Sequence, residues 1–159
     1  CEYSSWNGVK ELSVQKVVDG LVKHADSITM GNEFKPDSFL SPIGPYAQST
    51  PKLVDFTASN GKTIKVPEVL NYTTVDNCLS ACAKNGLKMR GHVLVWHSQT
   101  PDNFFAEDYK AKTNGELITN LVDKETMTAR QEWYIKSVFE HVAEWEAANA
   151  AAQAAYYGE

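Results

Sequence analysis

The sequence has no long apolar run and no cluster of basic residues. A membrane-spanning helix needs about 20 consecutive apolar residues, and every hydrophobic stretch here falls well short of that length. With 15 Lys and Arg against 20 Asp and Glu, the formal net charge is -5, which disfavours nucleic acid as a partner. We therefore predict neither a membrane-embedded nor a nucleic-acid-binding protein. No signal peptide is visible at the N-terminus, but a mature chain would have lost one, so this absence excludes nothing.

Cysteine is also scarce, which limits disulfides and metal sites. The three cysteines are Cys1, Cys78 and Cys82. The last two have the spacing of one helical face, where a disulfide between them would be strained. We interpret both as small core hydrophobes. A zinc site would need more Cys or His nearby, so neither a metal nor another cofactor is expected.

The chain does contain enough apolar residues, 43% of the total, to form a globular core. Ser13 is the predicted cap of a first helix. The helix is predicted by apolar residues at helical spacing: Val14, Val17, Val18 and Leu21. The segment "SITM", residues 27–30, then predicts a short strand, and the polar turn "GNEFKPDS" follows it.

A second unit repeats this order. Its helix is predicted by an apolar stripe: Val75, Cys78, Leu79 and Cys82. Thr73 or Thr74 is the predicted cap, and Gly86 is the predicted left-handed C-terminal residue. The segment "LKMRGHVLVW", residues 87–96, follows and predicts a strand buried on both faces. Gly91 interrupts this strand, which indicates either close backbone packing or a bulge.

Two further features surround this pattern. Residues 52–67 alternate in polarity on either side of "SNGK" and predict an inserted β-hairpin. A long helix is predicted from about Thr126, with its buried side marked by five residues: Ile135, Val138, Phe139, Val142 and Trp145. In the Ala-rich segment 146–159 the helix either continues or gives way to a linker, an engineered tail or stand-in residues. Because the segment lacks larger apolar residues, we favour an artefact or truncation.

Repeated helix, strand and polar loop is typical of an α/β protein with parallel strands. Ligands of such folds bind beyond the carboxyl ends of the strands. His92 lies inside the second predicted strand. Polar and aromatic residues follow the ends of both predicted strands: Asn32, Glu33, Lys35, Trp96, His97, Ser98 and Gln99. Amide, ammonium and imidazole groups bind sugar hydroxyls, and an indole face packs on a pyranose ring. The alternative is ordinary packing of a core histidine and a strand-end tryptophan.

Two of these segments resemble known motifs. "RGHVLVWHSQTPDNFF", residues 90–105, resembles the third-strand signature of glycoside hydrolase family 10, the endo-β-1,4-xylanases. "GNEFKPDS" resembles the second-strand turn of that family, and the resemblance extends from Val9 to Trp145. It implies an incomplete (β/α)8 TIM barrel that covers roughly the second and third β/α units. Residues 1–145 would be the N-terminal part of the catalytic domain, the hairpin at about 52–67 an insertion, and 146–159 a tail.

The resemblance also implies roles for individual residues. Asn32 and Lys35 would bind sugars on the non-reducing side of the cleaved bond, and His92 the sugar at the reaction centre. Trp96 and His97 would form the wall of that subsite, and Gln99 would bind the next sugar. Glu33 would support the motif without being a catalytic carboxylate. The family often has tryptophan where Asn103 stands, which puts a stacking role there in doubt.

Family 10 chemistry is retaining hydrolysis by two glutamates whose carboxyl groups lie about 5–5.5 Å apart. Neither of the two family motifs that carry them occurs in this sequence. A complete (β/α)8 barrel also needs about 250 residues, against 159 here, and the first strand is expected to be missing or clipped. We therefore expect the chain alone to be inactive, with xylan or xylo-oligosaccharide as ligand. The missing C-terminal part of the barrel, or a complementing chain, is the expected protein partner.

Two further questions remain open from the sequence. The chain is either part of a secreted endo-1,4-β-xylanase, since xylan cannot enter a cell, or a non-catalytic xylan-binding fragment or degenerate relative. The hairpin either extends the cleft wall near the distal sugars and tunes the preference for branched substrate, or is a surface decoration.

Overall fold

Parallel strands alternate with helices in the computed structural model, which describes residues 2–3 and 11–157. The elements are, in chain order, β1 (Glu2–Tyr3), α1 (Gln15–Leu21), β2 (Ser27–Met30), α2 (Pro36–Phe39), β3 (Leu53–Thr57), β4 (Thr63–Pro67), α3 (Thr73–Lys84), β5 (Lys88–Arg90), β6 (Thr113–Asn114), β7 (Leu117–Ile118) and α4 (Lys124–Tyr157). One sheet has the order β1-β2-β5, with both pairs parallel. This is the βαβ arrangement that the repeated pattern predicts.

The central strand β2 lies against a core built mainly from α3 and α4. Ile28 and Met30 of β2 are buried, as are the predicted stripe of α3 and several residues of α4: Val75, Cys78, Leu79, Cys82, Trp133, Tyr134 and Val138. Cys78 and Cys82 are free thiols in this core, which confirms their interpretation as small hydrophobes. Gly86 has a φ of 64° and ends α3 in the left-handed conformation, as predicted.

Two predicted caps are wrong. Helix α1 begins at Gln15 after Val14, and α3 begins at Thr73 after Tyr72; neither cap residue makes a side-chain capping hydrogen bond. The first turn of α3 is instead stabilised from outside by Asn71 Oδ1, which accepts a hydrogen bond from the Thr73 N–H at 3.0 Å. Only Val18 of α1 is buried, because this short helix contacts the core through a narrow face.

The predicted strand of residues 87–96 is also wrong in length and burial. Strand β5 ends at Arg90, and both Lys88 and Arg90 are exposed. Within the described residues no strand pairs with its second edge, so the backbone beyond Arg90 has no ladder to join and continues as a loop. His92 therefore follows the strand instead of lying within it. A first strand is present, because Glu2–Tyr3 pairs with Thr29 and Met30 of β2; it has two residues, so of the expected missing or clipped strand only the missing one is wrong.

The second edge of β5, with which none of the described strands pairs, borders an apolar groove. The groove has a volume of about 400 Å³ and its lining includes Phe34, Leu94, Phe139, Val142 and Trp145. Phe139 was predicted on the buried side of the long helix, but it is 65% exposed. Its neighbour Val138 is 3% exposed, so the helix buries one residue of this pair and, among the described residues, leaves the other open to the groove. We call this surface the β5 groove.

The hairpin of β3 and β4 packs on the N-terminal half of α4. Its turn includes Gly61, with a φ of 82°, and the backbone N–H of Ser59 donates to the Glu132 carboxylate at 2.9 Å. Lys62 Nζ lies 3.0 Å from Asp123 Oδ1, and Ile64 and Val66 are buried. Helix α4 itself continues to Tyr157, so the Ala-rich residues through 157 are helical, as alanine favours.

Candidate functional site

The turn after β2 is organised around the side chain of Asn32. Its Oδ1 accepts a hydrogen bond from Lys35 Nζ at 2.8 Å. The next residue, Glu33, is only 3% exposed, and its Oε2 accepts the backbone N–H of Asn32 at 3.0 Å. Because Glu33 points into the protein and bonds the turn itself, it supports the geometry of the turn while Asn32 and Lys35 remain half-buried.

The segment after β5 reaches the same place through a close backbone contact. A Cβ added to Gly91 would lie 2.8 Å from Cδ1 of Phe34, so the chain passes directly over this buried ring. This confirms close packing, rather than a bulge, as the reason for glycine at this position. Beyond it, the Asp37 N–H donates to the Gln99 carbonyl oxygen at 2.9 Å, and the peptide bond between His92 and Val93 is cis.

Gln99 joins the two segments through its side chain as well. Gln99 Nε2 donates to Asn32 Oδ1 at 3.1 Å, so one amide oxygen receives hydrogen bonds from both Gln99 and Lys35. The backbone of Gln99 has a φ of 54°, a left-handed conformation that is uncommon for a residue with a side chain. The surrounding bonds hold it there, and such strain clusters at functional positions.

Three rings complete the cluster. The Lys35 ammonium lies 5.6 Å from the centre of the Trp96 ring, within cation–π range. The Trp96 ring lies 4.4 Å from that of His97 and 6.2 Å from that of His92, measured between centroids. All six residues that the sequence suggested as sugar ligands are therefore connected: Asn32, Lys35, His92, Trp96, His97 and Gln99. We call them the six-residue cluster.

The cluster is a surface feature with both hydrogen-bonding and stacking capacity. Trp96 is 38% exposed and His97 is also exposed. A lysine ammonium has three N–H donors. In the described part of the chain, Lys35 donates one hydrogen bond, to Asn32. The remaining donors, the imidazoles and the indole face are the groups that bind hydroxyl-rich rings. His92, in contrast, is half-buried, so the exposed ring surface of the cluster comes mainly from Trp96 and His97.

Asn103 has a polar role instead of a stacking one. Its Nδ2 donates to the Ile43 carbonyl oxygen at 2.7 Å, and its Oδ1 accepts the Ala111 N–H at 2.8 Å. Sequence reasoning missed this role, and it also missed the hydrogen bond that the Asp37 backbone N–H donates to the Gln99 carbonyl oxygen. Neither had a sequence signal, because both depend on which loops meet in space.

Among residues 11–157, no group of three or more His, Cys, Asp or Glu side chains is placed to hold a metal ion. None of the helices in the described part of the chain is both long and apolar enough to cross a membrane.

Comparison with known proteins identifies the family. Residues 5–155 match the model of glycosyl hydrolase family 10. The chain belongs to this family. This confirms the resemblance that the two motifs carried, and family membership implies a (β/α)8 barrel as the fold to which the β1-β2-β5 sheet contributes.

Curated family 10 relatives are considerably longer than this chain. An endo-1,4-beta-xylanase A from Butyrivibrio fibrisolvens is 41% identical over 133 residues, which are 79% of this chain and 30% of that protein. An endo-1,4-beta-xylanase A from Thermotoga maritima is 36% identical over 140 residues, which are 86% of this chain and 10% of the relative. The chain therefore spans less than a third of either relative.

A solved family 10 structure has a similar backbone fold over the aligned region. It comprises the CBM22-1 and GH10 modules of the N-terminal endo-1,4-beta-D-xylanase 10B from Clostridium thermocellum, complexed with xylohexaose. The TM-score is 0.59 and the sequences are 26% identical, over 89% of this chain and 22% of the solved chain. The similarity thus covers nearly all of the present chain.

Proposed function

We propose that this chain supplies the sugar-binding part of a retaining endo-1,4-β-xylanase. The single observation that carries the proposal is the shared acceptor Asn32 Oδ1, which receives hydrogen bonds from Lys35 and Gln99. It joins two motif segments into one exposed cluster beside Trp96. The xylanase names of the relatives and the xylohexaose bound in the solved neighbour support xylan or xylo-oligosaccharide as the ligand.

In this proposal the members of the six-residue cluster bind different sugar units of the substrate. Asn32 and Lys35 bind sugars on the non-reducing side of the cleaved bond. His92 contacts the sugar at the reaction centre, Trp96 and His97 form its wall, and Gln99 binds the next sugar. The ammonium and amide donors fix hydroxyl positions, and the indole covers the apolar face of a ring.

The two catalytic glutamates lie outside this chain in our proposal, so the chain alone is inactive. Glu33, the glutamate nearest to the cluster in sequence, is buried and bonded to the backbone of its own turn. That position suits a supporting residue and leaves its carboxylate unable to reach an anomeric carbon. Hydrolysis would require a proton donor and a nucleophile from further β/α units.

Those further units would pack on the β5 groove. The free parallel edge of β5 offers backbone hydrogen bonds, and the adjacent groove offers apolar side chains such as Phe139. One more β/α unit presents the matching surfaces, namely a strand edge and an apolar helix face. We propose the C-terminal part of a family 10 barrel as the occupant. Because xylan is a polymer outside the cell, we also propose that the complete protein is secreted.

Calorimetric titration of the chain with xylohexaose tests the binding role. We expect saturable binding that is weakened about tenfold or more by Lys35→Ala, the scale of a hydrogen bond from a charged donor. Lys16→Ala removes an exposed lysine from α1 and serves as the matched control, with affinity unchanged. Equal affinity in the parent and in Lys35→Ala would contradict the proposal.

Reducing-sugar release from xylan separates the enzyme from the alternative of a purely binding protein. The chain alone should release none. A chain extended to a complete barrel should release it if the protein is a xylanase, and should bind without hydrolysis if the protein is a non-catalytic or degenerate relative. Release by the chain alone would overturn the assignment of both glutamates to the rest of the barrel.

A further inference from the structure

Asn103 connects three loops through one side chain. It lies in the 3-10 turn Asp102–Phe104 and is half-buried. Its Nδ2 donates to the carbonyl oxygen of Ile43 at 2.7 Å, while its Oδ1 accepts the backbone N–H of Ala111 at 2.8 Å. Both ends of the amide are thus used, which fixes the orientation of the side chain.

The loop that Asn103 anchors is the one that carries Gln99. Gln99 has a φ of 54°, and its carbonyl oxygen accepts the N–H of Asp37 at 2.9 Å. Asp37 and Ile43 belong to one continuous segment that follows Lys35. This segment is therefore bonded to the Gln99 loop at two places, by the Asp37 N–H at one end and by the Asn103 side chain at the other.

Two attachments restrain a loop far better than one. Without the second attachment, the bond at Asp37 and the burial of Pro101 and Phe104 would still hold the loop, but Gln99 could shift relative to the segment that carries Ile43. The second attachment at Ile43 removes this freedom, so the side chain of Gln99 stays directed at Asn32 Oδ1. A tryptophan at position 103 could not form the same pair of bonds, because indole has one N–H donor and no acceptor.

We infer that Asn103 is a positioning residue for sugar binding, which acts by holding Gln99 in its bonding geometry with Asn32. This inference rests on the proposed function of the six-residue cluster. It assigns to this chain a polar anchor at the place where the family often has a tryptophan. The side-chain hydrogen bonds of Asn103 in the described residues go to Ile43 and Ala111 and not to a member of the cluster, so its effect on affinity should pass through Gln99.

A double-mutant cycle tests this route. Xylohexaose affinity is measured for the parent chain, Asn103→Ala, Gln99→Ala and the double variant, at a temperature where all four are folded. We expect Asn103→Ala to weaken binding roughly five- to tenfold, the scale of a net hydrogen bond, and to have little further effect when Gln99 is already alanine. An equal loss in both backgrounds would mean that Asn103 acts only on the fold, and would overturn the inference.

Asn120→Ala is the matched control. Asn120 makes the same pair of contacts elsewhere in the chain, since its Oδ1 accepts the Lys112 N–H at 2.8 Å and its Nδ2 donates to the Lys110 carbonyl oxygen at 2.9 Å. Its loss should leave xylohexaose affinity unchanged. Asn103→Asp keeps the acceptor for Ala111 but loses the donor to Ile43, so it should weaken binding as Asn103→Ala does.

A ligand-free measurement separates this inference from the proposed function. The amide proton of Asp37 reports on the attachment to Gln99, and its hydrogen exchange should become about tenfold faster in Asn103→Ala but not in Asn120→Ala. Unchanged protection of Asp37 would overturn the inference whatever the ligand does. If Lys35→Ala and Gln99→Ala both left xylohexaose affinity unchanged while Asp37 exchange responded as expected, the loop anchor would stand and the proposed sugar-binding function would fail.

Discussion

The side-chain amide of Gln99 donates to Oδ1 of Asn32 over 3.1 Å, although 67 residues separate the two in the chain. Each residue follows a different parallel strand, so the bond forms only because β2 and β5 are neighbours in the sheet. The same oxygen also accepts a hydrogen bond from the Lys35 ammonium. A substitution of Asn32 should therefore remove the hydrogen bonds of Lys35 and Gln99 at the same time.

Loss of Lys35 or His92 should reduce turnover in a complete enzyme. In the chain extended to a full family 10 barrel, we expect Lys35→Ala and His92→Ala each to weaken transition-state stabilisation by about 2–4 kcal/mol, the scale of one preorganised donor. The measurement is kcat/KM on xylan, with Lys16→Ala as the control that removes a lysine remote from the cluster. Parent-like kcat/KM in both variants would show that their roles do not carry over from the family.

The sequence predicted which polar and aromatic residues lie together better than it predicted the element that carries them. Its motifs identified Asn32, Lys35 and Gln99 because their spacing after a strand is local information. The strand before Gln99 was predicted too long, since the apolar run through residue 96 satisfies a strand pattern equally well. Whether such a run forms ladder hydrogen bonds depends on a neighbouring strand, which is not encoded in the run itself.

Side-chain burial on the long helix also depends on neighbouring elements that the local sequence pattern does not specify. Helical periodicity placed Val138 and Phe139 on one apolar side, and Val138 is indeed only 3% exposed. Phe139 faces the β5 groove instead, and helical periodicity alone does not show which apolar positions a neighbouring element covers. The two hydrogen bonds of the Asn103 side chain could likewise not be predicted from sequence, because Ile43 and Ala111 lie beside it only when three loops come together.

Gly91→Ala should destabilise the protein, because its Cβ would enter the space of the Phe34 ring. Overpacking of this kind costs about 1–3 kcal/mol. Gly20→Ala is the matched control, since a Cβ there meets nothing within 4 Å and lies inside α1, where alanine should stabilise by roughly 0.5–1 kcal/mol. Urea unfolding of both variants gives the comparison. If Gly91→Ala were as stable as the parent, the close approach to Phe34 would be refuted.

Phe139 should matter for assembly more than for the stability of this chain. It is 65% exposed and lines the β5 groove, so Phe139→Asp should change the free energy of unfolding little while blocking complementation. The test mixes the chain with a separately expressed C-terminal part of the Butyrivibrio fibrisolvens relative and follows xylanase activity. Leu117→Asp changes another exposed apolar residue, 75% exposed and on β7, and should leave complementation intact. Equal activity with both variants would exclude the groove as the docking surface.

Stability should fall in acid partly because of two carboxylates that link the hairpin to α4. Hydrogen bonds from the backbone N–H and hydroxyl of Thr126, and then from Lys62, hold the pKa of Asp123 well below its usual range. The Ser59 hydroxyl likewise lowers the pKa of Glu132. Because both pKa values are depressed in the folded state, their contribution is present above the unfolded values near about pH 4 and is lost as pH falls below them.

The variant Asp123→Asn with Glu132→Gln tests this pH dependence. Asparagine is also a good helix cap, so it preserves much of the geometry while removing the titrating group. The melting temperature of the double variant should decline less than that of the parent between about pH 5 and pH 3. Glu107→Gln with Glu116→Gln, both at exposed positions, removes the same two charges and controls for net charge. Parallel declines in the parent and the double variant would contradict the assignment.

The buried thiols of Cys78 and Cys82 should resist alkylation until the protein unfolds. Burial raises their pKa to about 12 and about 11, and for Cys78 the charge of Glu33 adds to the rise. Since the thiolate is the reactive form, iodoacetamide at about pH 8 should label them at least about 100-fold more slowly in the native protein than in urea. A Cys1→Ser background removes the one cysteine outside the described residues, and Cys82→Ala then reports on Cys78 alone. Labelling of the native protein at the rate of a free thiol would show that α3 does not bury these residues against β2 and α4.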